Sequence, residues 1–435
     1  MVRVDKNIVK IFVVIIFLVV TGAMLFSGCS QSQKRGEKVL INLSLQAGKP
    51  AEVQIYNRLI ENFENAHPCI KVKTEFVARD YFPKLQTQIA GGNAPDVMFT
   101  NNYLFPAFAS KGVYLNLDPY IKEDEEFSLR DFYPVMVDAF KWKEKLYAIP
   151  TDNSSTALFY NVDIFDKEGI KNPDDTWDWD TFLDACRRLT KDIDSDGRID
   201  KFGYILNISE FEWSYWIWQN GGGIINDSNA ECVMNSPQTI EALQFFMDLV
   251  NKHRVAPKSA ERSDMGYFET FMTGRAAMIS VTYGIVPLYA QIRDFKWDVA
   301  PLPKGKCRAS VMGSGAYAIS SHTRHPQETW ELVKYMMGEE GQNSATTLRQ
   351  IVPSRKKVAE SNIFLNPTEP PLNKQVFIDS LSYSKCFPVT PQYAEMARIM
   401  NEELENAFYG KKEVKDSSKE LKIKVDNLLQ VGILN

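Results

Sequence analysis

Five aromatic side chains, Phe211, Trp213, Tyr215, Trp216 and Trp218, crowd the stretch from Glu210 to Trp218, and Gly221-Gly222-Gly223 follow it. At helical spacing Trp213, Trp216 and Ile217 share one side while Tyr215 and Trp218 point elsewhere, so a single core is not expected to take them all. One side is expected to face a cleft. An indole offers a flat apolar face and one N–H, which suits a sugar ring with its apolar C–H face and hydroxyl rim. For each ring taken singly, the alternative is ordinary core packing.

A second constellation is acidic. Asp192, Asp194, Asp196, Gly197 and Asp200 follow the D-x-D-x-D-G spacing of a calcium loop, where alternate carboxylates converge on a hard cation. Gly203 stands where an EF-hand loop has its bidentate glutamate, which lowers the expected affinity. A solvated Asp- and Gly-rich turn is the alternative. The histidines, His67, His253, His322 and His325, form no metal-ligand motif, and neither a phosphate-binding glycine loop nor a G-x-S-x-G elbow is present. No enzyme and no resident cofactor is expected, although counting carboxylates does not exclude a glycosidase pair.

The N-terminus says where such chemistry would take place. Arg3, Lys6 and Lys10 form a basic start, and the apolar stretch from Ile11 to Phe26 is shorter than the ~20 residues needed to cross a bilayer core. Residues 1–28 read as an export signal. Ser27-Gly28-Cys29 resembles the lipobox of bacterial lipoproteins, with Phe26 where leucine is usual. The resemblance implies acylation of Cys29, a flexible tether over 29–38, and a folded part held on the extracellular face of the membrane or in the periplasm. With 435 residues, a formal net charge of -5 and both signs mixed along the chain, nothing attracts it to nucleic acid. Its length provides two or three domains at ~100–200 residues each. Cys69, Cys186, Cys232, Cys307 and Cys386 are widely spaced and make neither a zinc site nor a disulfide framework, though one or two disulfides stay open. Cys186 shares a helical stripe with Phe182 and Leu189 and reads as a core residue.

The elements that must position these groups alternate. Val39, Ile41, Leu43 and Leu45 repeat at period two, Tyr56, Leu59, Ile60 and Phe63 at helical spacing, and Ile70, Val72 and Phe76 again at period two. That is a βαβ unit, which implies a parallel sheet covered by helices. A helix ending at Gly91-Gly92, a buried strand from Asp96 to Thr100, strands at Ala157 to Tyr160 and Gly203 to Leu206, and a helix from Trp179 to Thr190 extend the pattern. Ser236-Pro237 caps and opens another helix. From about Thr368 onward the chain reads as largely helical. The fold class is α/β with at least two lobes.

Read together, FENAHPCIKV (Phe63 to Val72), GGNAPDVMF (Gly91 to Phe99), KLYAIP (Lys145 to Pro150), LFYNVDIFDKEGI (Leu158 to Ile170), WQNGGGIIN (Trp218 to Asn226), GRAAMIS (Gly274 to Ser280), WDVAPLPKG (Trp297 to Gly305), GSGAYAIS (Gly313 to Ser320) and VPSRKKV (Val352 to Val358) resemble the extracellular solute-binding proteins of ABC importers. The resemblance is to the sugar-binding family that includes maltose-binding protein, and it spans about 36 to 430. It implies a periplasmic-binding-protein-like fold with two α/β lobes, 39–150 with 312–352 and 153–310 with 354–435, joined by crossover hinge strands with the ligand cleft between them. It also implies a monomer that closes on a sugar or oligosaccharide and is recognised by ABC permease subunits.

Positions matching the family's cleft are Asn101 after GGNAPDVMF, Asp152 and Asn153 after the crossover at Pro150, Trp213 or Trp216 as the stacking ring, and Tyr283 after GRAAMIS. Gly315 with Tyr317, and Arg355 in VPSRKKV as a fork of donors, complete the set. Gln46 at the end of the first strand is a weaker candidate. A polyol or phosphorylated polyol is the second ligand reading, with Arg355 meeting the anion; a secreted glycoside hydrolase is the reading from another class.

Overall fold

The computed structural model describes residues 38–433 except 227, 259–260, 262–264 and 349. The expected signal, Cys29 and the tether up to residue 37 lie outside the described residues. Among the described residues no helix is long and apolar enough to cross a membrane.

Period-two alternation builds the first strands, β1 (Val39–Leu45), β2 (Ile70–Phe76) and β3 (Val97–Asn101), with Ile41 and Leu43 buried from one face of β1. Between β1 and β2 runs a helix, Pro50–Ala66, which turns Leu59, Ile60 and Phe63 inward. Glu52 stabilises its start, accepting the backbone N–H groups of Gly48 and Lys49 at 3.0 and 3.1 Å, donors that the helix itself leaves unpaired. A short hairpin, β4 (Lys141–Trp142) and β5 (Lys145–Leu146), leads to β6 (Ala148–Pro150) and then the ten-residue β7 (Asp152–Asn161). The later strands are β8 (Phe202–Ile205), β9 (Ala276–Thr282), β10 (Trp297–Ala300), β11 (Ser310–Gly313), β12 (Gly315–Ile319), β13 (Val352–Pro353) and β14 (Ser384–Lys385).

These strands form two α/β lobes. One sheet has the order β2-β1-β3-β12-β6, parallel from β2 to β3 and antiparallel at β12. Its core gathers Ile41, Phe63, Met98, Phe105 and Trp330. The other sheet has the order β14-β11-β7-β9-β8, with β10 and β13 also paired to β7. A core lies on each of its faces, one around Trp213, Trp216 and Leu243 and one around Phe159, Tyr289 and Phe377.

The helix Glu210–Gln219 turns only Phe211 of its aromatic residues, with Glu212, to a cleft, whereas its spacing predicts that a whole aromatic side faces one. Trp213 and Tyr215 are 0% exposed, Trp216 1% and Trp218 5%. Helices Pro237–Asn251 and Tyr393–Phe408 and strands β9 and β11 pack around it, and a helix with aromatic residues spread around its circumference is stable only in such a central position. Burying each ring contributes about 3 kcal/mol, so these side chains build the core of the lobe.

The chain passes between the sheets at Thr151, at Ser314 and just before β13. The crossings are bonded to one another. Ser314 Oγ donates to Asp152 O at 2.6 Å, and the Asn102 side chain accepts Ser314 N–H at 3.1 Å while donating to Met312 O at 3.3 Å. Gln342 Nε2 donates to Thr151 O at 2.9 Å and its Oε1 accepts Ser354 N–H at 2.9 Å, which ties the third crossing to the first. Cys69, Cys186, Cys232, Cys307 and Cys386 are all free thiols, and burial pushes Cys186 well above the usual thiol range.

Candidate functional site

A cleft of about 780 Å³ opens where the two sheets meet. Gln46, Phe99, Asn101 and Tyr103 come from the ends of β1 and β3, while Asn207, Phe211, Glu212, Tyr267, Phe268 and Glu269 come from the opposite lobe. Asp152, Ser154 and Gly313 to Gly315, where the chain crosses, form its floor. Aromatic faces interleaved with amides, hydroxyls and carboxylates suit a polar, ring-shaped small molecule.

At the floor the Asp152 carboxylate accepts from Thr151 Oγ1 at 2.7 Å, Gly315 N–H at 3.0 Å and Ser154 Oγ at 3.2 Å. Burial raises its carboxyl above the ordinary range and these donors oppose the rise. Gly315 is needed there, since a Cβ would lie 2.5 Å from the Phe99 ring and 2.7 Å from Asp152 Oδ1. Asn101 Oδ1 accepts Leu104 N–H at 2.9 Å, so half of its amide caps the following turn. Above it Tyr103 meets Phe211 edge to face, ring centroids 6.4 Å apart, in an aromatic contact between the lobes.

On the far wall Glu212 is 4% exposed, its Oε1 lying 2.6 Å from the Tyr267 hydroxyl. Burial, opposed by the bonds with Tyr267 and Tyr204, pushes its carboxyl up to about 8. The adjoining Phe268 ring is 39% exposed and lines the cleft, as does Glu269.

Of the residues singled out in the sequence, Gln46, Asn101, Asp152, Phe211 and Gly315 line this cleft. The others do not. Trp213 is sealed in the core, its Nε1 donating to Asn401 Oδ1 at 3.2 Å, and Trp216 packs against Trp179, Phe182 and Phe245. Asn153 is 0% exposed and donates to Phe377 O at 3.0 Å beneath the floor. Tyr283 turns inward onto Phe364 and Phe377, while its neighbours Thr282 and Gly284 line the cleft. Tyr317, two residues beyond Gly315 on the same face of β12, lines an adjoining cavity of about 180 Å³ together with Tyr56, Phe99 and Asp152 rather than the cleft itself. Arg355 is a brace: Nη1 donates to Asp131 Oδ2 at 3.0 Å, Nε to Met337 O at 2.7 Å, and the guanidinium lies 5.2 Å over the Phe132 ring.

In the acidic loop, Asp192, Asp194 and Asp200 bring oxygens within 4.8 Å of one another. Asp196 is not among them and accepts Arg198 N–H at 2.7 Å. Asp192 and Asp200 likewise accept Gly197 N–H at 2.9 Å and Ile193 N–H at 2.7 Å, so the loop closes on its own backbone.

Sequence reasoning missed Tyr103, Glu212, Tyr267 and Phe268. Phe211 and Glu212 stood inside the aromatic stretch, but the tryptophans beside them drew the assignment. Tyr267 and Phe268 belong to a six-residue helix, Tyr267–Met272, with no distinguishing spacing.

Residues 47–343 match the family model of bacterial extracellular solute-binding proteins. The chain belongs to that family. This solute-binding protein is 24% identical to an arabinooligosaccharide-binding protein of Bacillus subtilis, over 82% of this chain and 84% of that one. In structure it is similar to an ABC substrate-binding protein of Listeria monocytogenes in complex with cycloalternan, with a TM-score of 0.80 and 27% identity over 91% of this chain and 100% of that one. It also shares its fold with the sugar-binding protein MalE of Xanthomonas citri, with a TM-score of 0.79 and 21% identity over 90% and 98% of the two chains.

Proposed function

We propose that this solute-binding protein captures a sugar or oligosaccharide outside the cell and hands it, unmodified, to the permease of an ABC importer. The observation that carries this reading is the two-sided cleft, with Tyr103 and Phe99 on one lobe and Phe211, Tyr267 and Phe268 on the other, above a floor of hydrogen-bonding groups. The sugars and oligosaccharides named for its relatives support it.

In this reading Phe268 supplies the stacking face. Asn101, Asn207 and Asp152 meet hydroxyls. Groups from both lobes reach the solute together only when the lobes approach, so the solute favours the closed state. Micromolar capture corresponds to ~8 kcal/mol, within reach of ring stacking plus a few shielded hydrogen bonds. The protein acts as a monomer held to the membrane by lipid on Cys29.

Thermal-shift screening of the exported domain against mono- and oligosaccharides is the test, followed by titration calorimetry on any glycan that raises the melting point. At 100 times Kd, selective binding adds about 2.7 kcal/mol of stability. A saturable heat with the glycan recovered intact by chromatography is expected; silence across neutral glycans with capture of another solute class would refute the assignment. The anchor is tested separately, since Cys29→Ala should release the protein into the medium.

A further inference from the structure

The Tyr267 hydroxyl carries one proton and lies within hydrogen-bond distance of two oxygens, Ser280 O at 2.9 Å and Glu212 Oε1 at 2.6 Å. A backbone carbonyl can only accept, so when the tyrosine donates to Ser280 the shorter contact needs a proton from Glu212. The second carboxyl oxygen faces Tyr204 Oη at 3.3 Å, and Tyr204 Oη is 3.2 Å from Tyr215 Oη. One ordered chain gives each of these four contacts a proton: Tyr215 donates to Tyr204, Tyr204 to Glu212 Oε2, Glu212 Oε1–H to Tyr267, and Tyr267 to the Ser280 carbonyl, with the Ser280 hydroxyl bonded to Tyr204 and Tyr215 besides. An ionised Glu212 leaves one of the two Tyr267 contacts without a proton.

The groups facing Glu212 fit a neutral acid. Tyr204 comes from β8, Tyr215 from its own helix, Tyr267 from the helix Tyr267–Met272 and Tyr289 from the helix Val286–Tyr289, while β9 presents the Ser280 carbonyl. Glu269 is the further carboxylate on that wall, and it too bears on Tyr289. Among the described residues no lysine, arginine or histidine pairs with Glu212. Burial holds all four tyrosines above their ordinary range, so they keep their protons.

We propose that neutral Glu212 is a positioning residue for solute capture, fixing Tyr267 and with it Phe268 on the cleft wall, so that capture fails where Glu212 ionises. The proposal rests on the reading of the cleft as the capture site. Its buried carboxyl, pushed up to about 8, places the loss on the alkaline side of neutrality. Because only the protonated fraction is competent, apparent Kd rises about tenfold for each pH unit above that value.

Calorimetric titration of the captured glycan from about pH 6.5 to about pH 9.5, on wild type and Glu212→Gln, tests this. A glutamine amide donates and accepts at every pH, so Glu212→Gln should bind like the wild type at neutral pH and lose the alkaline fall. A flat wild-type profile, or a parallel fall in both proteins, overturns the proposal. Infrared difference spectra of wild type against Glu212→Gln need no ligand: a protonated-carboxyl C=O band is expected at neutral pH, and its absence overturns the proposal whatever the glycan screen finds. Band present but no glycan bound would reject the sugar reading and the capture role with it, leaving only the buried acid. If Glu212→Gln does not fold, Tyr267→Phe serves, since a wild-type alkaline loss in that variant is equally fatal.

Discussion

The carboxylate of Asp152 accepts the backbone N–H of Gly315 at 3.0 Å, joining the first residue of β7 to the first residue of β12 where the chain crosses between the lobes. The contact depends on a bare Cα at position 315, because any Cβ there would meet Asp152 Oδ1 at 2.7 Å and the Phe99 ring at 2.5 Å. Gly315→Ala should therefore cost about 1–3 kcal/mol, the usual range for overpacking, and weaken capture by displacing both groups from the cleft floor. Urea denaturation with calorimetry on the same sample checks it; unchanged stability would mean that the floor yields freely.

Phe268 and Trp216 should separate by what their loss affects. Removing the fully buried indole in Trp216→Ala should cost about 3–5 kcal/mol of stability. Phe268→Ala, on the rim, should change stability by no more than ~0.5 kcal/mol yet weaken glycan binding about tenfold, the scale of one lost stacking contact. Binding unchanged in Phe268→Ala would move the stacking role elsewhere in the cleft.

Arg355 should behave as a brace. Arg355→Ala removes a bidentate set of bonds to Asp131 and Met337 and a cation over Phe132, so a loss of roughly 1–3 kcal/mol is expected. Asp131 is half exposed, which keeps the ion pair's own share small. Arg355→Lys should not restore it, because an ammonium cannot span both acceptors. Since the guanidinium is outside the cleft, adding salt should leave neutral-glycan affinity unchanged.

Glu403 predicts the acid limb of stability. Burial tends to raise its carboxyl, but bonds from Lys424 and from Lys412, the latter at 3.2 Å, outweigh burial and leave it below the ordinary range. A carboxyl depressed on folding adds stability above its unfolded value near 4.5 and loses it as pH falls through the lower folded value. Glu403→Gln should accordingly lower the melting point at neutral pH and flatten its decline below about pH 4.5. Equal acid slopes in the two proteins would exclude Glu403 as a source of that limb.

Much of the frame was legible because it rests on local periodicity. β1 and the helix after it follow from Val39 to Leu45 and Tyr56 to Phe63. Ser236 caps its helix as its position implies, its Oγ accepting Thr239 N–H at 3.3 Å. Cys186 is a core residue, as the stripe with Phe182 and Leu189 requires. The cleft was legible at Phe211 in the aromatic stretch and, through the family resemblance, where it coincides with strand ends, at Gln46, Asn101, Asp152 and Gly315. The tryptophans misled because a helix's own pattern describes its faces, whereas what covers each face comes from Pro237–Asn251 and Tyr393–Phe408.

Taken alone, the order of residues determined the alternating strands and helices and the family motifs, which depend on neighbours within a few positions; the crossing near Pro150 came only as what the resemblance implies. Tertiary structure decided which rings are buried, which face the cleft, and that Glu212 meets Tyr204 and Tyr267 across three elements. Burial and shared protons are relations between segments brought together by folding, and no spacing within one segment encodes them.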